Sequence, residues 1–331
     1  MPLPRVVIGQ RVFPETLALL APHAEVIAPA GEAEALAPAD LRRALATADA
    51  WMAFMPDQAD AALLEACPRL RLIAGALKGG DNFDVNACTK RGVWFSLVPD
   101  LLTVPTAELA IGLMIGLGRR LVEADQQVRS GQYTGWRPQL YGAGLAGARV
   151  GYVGFGAIGR AIARRLRPFE LEQRYFDPSE AGQDAMREAD LPRLLAWADY
   201  VVLAAPLTPG TLHILGAEAL AQLQPHALLI NPARGSLVDE AAVLAALKAG
   251  RLGGYATDVF EFEDWARPDR PRAIAPELLA HPATLFTPHL GSAVVSVRQA
   301  IERRAAENIL DLLAGRPPRD AINQAAAANK S

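Results

Sequence analysis

The feature that most restricts how this chain can fold is Gly154-Phe155-Gly156-Ala157-Ile158-Gly159, set between the apolar run Arg149 to Val153 and a helical stretch containing Ile162 and Leu166. Between a strand and a helix each glycine has a mechanical purpose. The first permits a tight turn, the second lets backbone approach a pyrophosphate, and the third lets the helix pack closely on the strand. The N–H groups and dipole at the helix start then favour an anion. Asp177 follows eighteen positions after Gly159, at the end of the next apolar run, where a carboxylate accepts from ribose hydroxyls and repels a 2′-phosphate. Pro178 comes next, not an arginine. The segment reads as a nucleotide site that prefers NAD to NADP.

Short apolar runs alternate with helical stretches throughout. Before the motif they are Arg5 to Ile8, Glu25 to Ala28, Trp51 to Met55, Leu72 to Ala76 and Val93 to Val98. From the motif onward they are Arg149 to Val153, Gln173 to Phe176, Tyr200 to Ala204, Ala227 to Asn231, Tyr255 to Val259 and Thr284 to Thr287. Such alternation implies parallel strands joined by right-handed crossovers. A length of 331 residues exceeds the size at which one core stops growing. The expected fold class is therefore α/β with two doubly wound parallel-sheet domains. A single helix is expected over Val104 to Val128 as a connector, and an amphipathic one over Val294 to Leu313, ended by Gly315-Arg-Pro-Pro. The tail Ala325 to Ser331 has little to bury.

The net charge of −3, with no dense Lys/Arg run, leaves no electrostatic footprint for nucleic acid or anionic membrane. The apolar stretch Ala107 to Leu117 is too short to span a bilayer, and the N-terminus lacks a signal peptide's basic flank. Cys67 and Cys88 stand in unrelated contexts, so neither a disulfide framework nor a metal site is expected. These readings together suggest a cytoplasmic protein.

Three polar residues stand beyond apolar runs of the second series: Arg234, Glu263 and His289. The carboxyl ends of parallel strands are where open sheets build their sites. An arginine can pin an oxyanion bidentately, a histidine can exchange a proton near neutral pH, and a glutamate can orient the imidazole. His23, His213, His226 and His281 read as structural.

With these residues in place the chain resembles the D-2-hydroxyacid dehydrogenase family over nearly its whole length. The matching segments are Val104-Pro-Thr-Ala-Glu-Leu-Ala, the glycine loop, Asn231-Pro-Ala-Arg-Gly-Ser, Asp258-Val-Phe-Glu-Phe-Glu263 and Thr287-Pro-His-Leu-Gly-Ser. The resemblance implies that Arg234 binds substrate, His289 is the acid/base and Glu263 its partner. It adds Thr106, Pro178, Pro206, Ala233 and Asp258 to the glycine loop and Asp177 as cofactor contacts. It also implies a Rossmann-type NAD-binding domain over 101–290, a smaller flavodoxin-like, discontinuous substrate domain of 1–100 and 291–331, and a homodimer.

Within that family, segments 51–57, 76–84, 98–108, 135–142 and 261–267 are most similar to the phosphite (phosphonate) dehydrogenases. That similarity implies that Lys78 touches substrate, that Met55, Trp136, Tyr141 and Ser292 line its pocket, and that Arg298 adds a third cation to Lys78 and Arg234. Gly80, where an aromatic residue is expected, and Phe262, where methionine is usual, depart from the pattern. The expected activity is NAD-dependent oxidation of phosphite to phosphate. The alternative is a glyoxylate or hydroxypyruvate reductase using the same three residues. A nucleotide-sensing scaffold like the corepressors of this fold is a further rival, and it leaves Lys78 without a purpose.

Overall fold

The computed structural model describes residues 2–98, 101–179 and 184–324, and every ladder in its two sheets is parallel. The chain forms two units: residues through Leu102 together with those from Val294 onward, and Thr103–Ala293.

The first unit holds β1 (Arg5–Ile8), β2 (Glu25–Ile27), β3 (Ala50–Ala53), β4 (Leu72–Gly75) and β5 (Trp94–Ser96), in the order β2-β1-β3-β4-β5. That is the flavodoxin-like order. Alternate residues face opposite cores. Val6, Ile8, Met52 and Ala74 pack with Ile301, Ala305 and Ile309, whereas Val7, Trp51 and Ile73 pack with Leu45, Leu64 and Cys88. Burial on both faces is why these strands read as continuous apolar runs. The helix Val295–Leu313 thus covers one face of a sheet built from the other end of the chain. Its buried Glu302 accepts from Phe13 N at 2.9 Å and Thr16 Oγ1 at 3.1 Å.

The second unit holds β6 (Arg149–Val153), β7 (Glu172–Phe176), β8 (Met186–Arg187), β9 (Tyr200–Leu203), β10 (Leu228–Asn231), β11 (Gly254–Thr257) and β12 (Thr284–Phe286). Their order is β12-β11-β10-β9-β6-β7-β8, a doubly wound sheet whose topology reverses between β6 and β9. Strand β8 was not expected: two exposed residues carry no period, and only their pairing with Arg174 and Tyr175 reveals a strand.

The helix expected over Val104 to Val128 is instead two, Thr103–Gly118 and Leu121–Arg129, separated where Arg120 turns left-handed at φ 52°. Tertiary packing causes the break. Ala143 N donates to Gly118 O at 2.8 Å, and a Cβ on Gly118 would lie 2.5 Å from Tyr200 Oη. The C-terminal helix ends as expected before Gly315, at φ 76°. The tail from Ala325 lies outside the described residues. Among the described residues no helix is long and apolar enough to cross a membrane.

Candidate active site

The glycine loop sits at the topological switch of the second sheet. Gly154 has φ 86°, and a Cβ there would stand 2.6 Å from Ala205 N and 2.7 Å from Ala204 C, so the loops after β6 and β9 meet only because residue 154 is glycine. Gly159 brings the helix Ala157–Leu166 close, its would-be Cβ 3.1 Å from Gly154 O. Phe155 is buried, stacked on Tyr175 at 4.3 Å. Gly156 and Ala157 are exposed at the helix start, and no atom lies within 4 Å of a Cβ built on Gly156. Ile158 is half-buried on the same turn.

Asp177 closes β7 with Oδ2 accepting from Phe155 N and Oδ1 from Ser179 N, both at 2.8 Å. A carboxylate offers about four lone-pair positions, so both oxygens keep capacity for ribose hydroxyls. The open helix start and this carboxylate fit a dinucleotide. Arg187 of β8 donates to the carbonyl oxygens of Asp177 (3.2 Å) and Pro178 (3.1 Å). Sequence spacing gave no sign of this cation, because only the pairing of β8 with β7 delivers it. Pro206 is exposed beyond β9, and Thr106 is buried with Oγ1 3.3 Å from Gly291 O.

Arg234, Glu263 and His289 follow β10, β11 and β12, three neighbouring strands. His289 Nδ1 lies 2.7 Å from Glu263 Oε2, while Glu263 Oε1 accepts from Phe260 N at 2.7 Å. The carboxylate is therefore fixed at both oxygens, and Nε2 is the ring nitrogen left to exchange a proton. His289 adopts φ 57°, a left-handed conformation uncommon outside glycine. Asp258 holds it there. This side chain is buried and accepts from Thr287 Oγ1 (2.6 Å), Leu290 N (2.6 Å) and Gly291 N (2.8 Å), and its carbonyl accepts from His289 N (2.8 Å). Burial pushes its carboxyl up from the ordinary value. These bonds brace the His289 loop.

The Arg234 loop is tied by Asn231, whose Nδ2 donates to Arg234 O at 2.8 Å and whose Oδ1 accepts from Ala233 N at 3.1 Å. A Cβ on Gly235 would overlap the Phe260 carbonyl, so this glycine lets the Arg234 loop lie against the turn that carries Glu263.

Behind these residues lies a polar cluster that motif reading did not find. Ser236 is engaged at every polar atom: N donates to Asp264 Oδ2 (2.7 Å), O accepts from His213 N (2.8 Å), and Oγ accepts from Arg267 Nη1 (2.8 Å). Glu261 Oε2 lies 2.7 Å from His213 Nε2 and 3.0 Å from Arg267 Nη1, and its Oε1 accepts from Glu240 N at 3.0 Å. Burial pushes the Glu240 carboxyl up to about 7. The alternation Glu261-Phe-Glu263 was the available signal: one short turn sends two carboxylates to two histidines.

In the first unit, Met55 lies beyond the end of β3 and Lys78 beyond the end of β4, both half-buried. Arg298 Nη1 approaches Ala76 O at 3.4 Å, with its guanidinium 5.7 Å over the Phe54 ring. Burial lowers its pKa from the ordinary value. Asn82 Nδ2 donates to Met55 O at 2.9 Å. The space beside Gly80 is occupied by Phe95, whose Cε1 lies 3.1 Å from a would-be Cβ. In the second unit Ser292 is half-buried, and Phe262 stacks on Phe260 at 6.1 Å. Trp136 and Tyr141, expected to line a pocket, are 78% and 76% exposed on the loop after Arg129. Burial of these rings requires something to pack on that surface.

Residues 111–291 match the family model described as D-isomer specific 2-hydroxyacid dehydrogenase, NAD binding domain. The chain is 36% identical over 284 residues to a glyoxylate reductase of Thermococcus litoralis, covering 83% of each. It superposes on the TT0316 protein of Thermus thermophilus with a TM-score of 0.88 at 33% identity, covering 96% of this chain and 99% of that one. An NADPH-dependent glyoxylate/hydroxypyruvate reductase of Sinorhizobium meliloti, solved with NADP and malonate, superposes with a TM-score of 0.83 at 30% identity, covering 97% of each chain.

Proposed function

The chain belongs to the D-isomer specific 2-hydroxyacid dehydrogenase family, and from that premise we propose that it reduces a small 2-oxo acid of the glyoxylate or hydroxypyruvate kind, with NAD(H) as cofactor. The observation that carries this reading is the His289–Glu263 pair at 2.7 Å, on strand ends neighbouring that of Arg234. The name shared by relatives such as the Thermococcus litoralis enzyme supports the substrate class. NAD, when bound, supplies the hydride donor or acceptor. Arg234 pairs with the substrate carboxylate through its planar fork. His289 Nε2 gives a proton to the carbonyl oxygen in reduction and takes it from the alcohol in oxidation. Glu263 holds the ring through Nδ1 and stabilises its protonated form. Asp177 selects NAD by repelling a 2′-phosphate.

A second reading, oxidation of phosphite to phosphate, is favoured by one observation: Lys78 within a segment similar to the phosphite dehydrogenases. Phosphite is a compact dianion near neutral pH, so burying it calls for cationic partners, of which Lys78 is the one this reading adds. Water would add to phosphorus as hydride leaves, and His289 would take that water's proton. The named relatives weigh toward the oxo acid. One comparison decides: NADH consumption with glyoxylate against NADH formation with phosphite. Turnover of phosphite with glyoxylate ignored sinks the first reading, and the reverse sinks the second. Turnover of either disposes of a scaffold role. If phosphite is the substrate, Lys78→Ala raises its KM by roughly tenfold to a hundredfold, the cost of one charge-assisted hydrogen bond, while KM for NAD barely moves.

We also propose a homodimer. Leu121, Val122, Val128, Tyr133, Trp136 and Tyr141 are exposed along the helix Leu121–Arg129 and its following loop. Exposed apolar side chains concentrated on one helix and its loop support a surface of that kind. Light scattering after size exclusion tests it, and a monomer at micromolar concentration would refute it.

A further inference from the structure

We infer that Arg267 is a positioning residue for the reaction, holding the Arg234 loop in register with the turn that carries Glu263. The inference rests on the reading of Arg234 as the substrate anchor. Arg267 is 16% exposed at its side chain, and its Nη1 donates both to Ser236 Oγ at 2.8 Å and to Glu261 Oε2 at 3.0 Å. One end of that bridge is two residues from Arg234. The other is two residues from Glu263. Ser236 has no alternative way to settle, because its N is taken by Asp264 and its O by His213. Glu261 is held as well, by His213 Nε2 at 2.7 Å and by a reciprocal pair with Glu240 in which each backbone N donates to the other's carboxylate, at 2.9 and 3.0 Å. Gly235 leaves no space between the two segments. A displacement of Ser236 is therefore transmitted to Arg234 and not absorbed by the loop.

Ion pairing of Arg267 with Glu261 alone would be a stability device. The bond to Ser236 makes it more than that, because it fixes the spacing between the anchor and the proton-transfer pair. Misplacing a substrate-holding group by about 1 Å costs on the order of a hundredfold in rate.

The test is steady-state kinetics of Arg267→Met, Arg267→Lys, Ser236→Ala and Arg267→Met/Ser236→Ala, with whichever of glyoxylate or phosphite the unmodified enzyme turns over. Arg234→Ala serves as the anchor control. Arg267→Met is expected to lose about tenfold to a hundredfold in kcat/KM for the acid, with NADH affinity by fluorescence unchanged within about twofold and Arg267→Lys recovering part of the loss. In the Ser236→Ala background the further loss from Arg267→Met should be much smaller, since the shared bond is already gone. A merely structural arginine would lower the melting temperature without this coupling. Wild-type kcat/KM in Arg267→Met, or full additivity with Ser236→Ala, overturns the proposal. Should Arg267→Met fail to fold, Ser236→Ala decides, and unchanged kcat/KM there overturns it. If Arg234→Ala itself leaves KM for the acid untouched, the anchor reading has failed instead.

Discussion

His289 is held at φ 57° by bonds from its own N to Asp258 O and from its Nδ1 to Glu263. A non-glycine residue in that region costs about 1–3 kcal/mol and persists only where its surroundings over-determine it. His289→Ala is expected to lower kcat by about 10²–10⁴-fold, the usual contribution of a positioned acid/base, with NADH affinity by fluorescence nearly intact. Near wild-type turnover would remove His289 from the chemistry. Glu263→Gln keeps a hydrogen-bonding oxygen but loses the charge that stabilises a protonated ring, so its loss should be the smaller one. Glu240 gives a second expectation at this scale. Burial raises its carboxyl from 4.5 to about 7, so its neutral form suits the folded state. The stabilisation is complete below pH 4.5 and is lost as pH rises through about 7. Glu240→Gln should therefore raise the melting temperature at pH 8 more than at pH 4.5. Equal shifts at both would count against a buried carboxyl.

Short elements decide much of the cofactor site. Strand β8 has two residues, yet it delivers Arg187 to the carbonyl oxygens of Asp177 and Pro178. On the proposed reading of Asp177 as the group that repels a 2′-phosphate, a guanidinium able to pair with one therefore lies on the same turn. Asp177→Ala alone should raise the ratio of NADP to NAD use, and adding Pro178→Arg should raise it further. Arg187→Ala in the Asp177→Ala background should take much of that gain away. A ratio indifferent to Arg187 would show that the guanidinium stays on the two carbonyls. The same lesson holds for the helix Thr103–Gly118: its helical run was legible, but its end is set by Ala143 and Tyr200, far along the chain.

At the scale of the whole molecule, the chain's return secures the first unit. Asp311 accepts from Arg316 Nη2 and Arg319 Nε, both at 2.7 Å, Arg304 grips Asp320 at 2.6 Å, and Asn323 accepts from Phe95 N at 2.7 Å. The Arg319 bond, followed by Arg316, holds the Asp311 carboxyl down at about 2 against an ordinary 3.8. A depressed carboxyl stabilises the fold above its unfolded value and loses that contribution as pH falls, here between about 4 and 2. Asp311→Asn should flatten the fall in melting temperature across that window, and an unchanged slope would argue against the clasp. The α/β class and the glycine loop were legible residue by residue, and Arg234, Glu263 and His289 stood out as candidates, because apolar runs alternating with helices and phosphate-binding turns are local requirements. That Asp258 braces a strained histidine, that Arg187 reaches the Asp177 turn and that Arg267 bridges Ser236 to Glu261 came instead from the assembled fold. Those facts depend on which distant strand ends become neighbours, and side chains that meet only through sheet order leave no period in the chain.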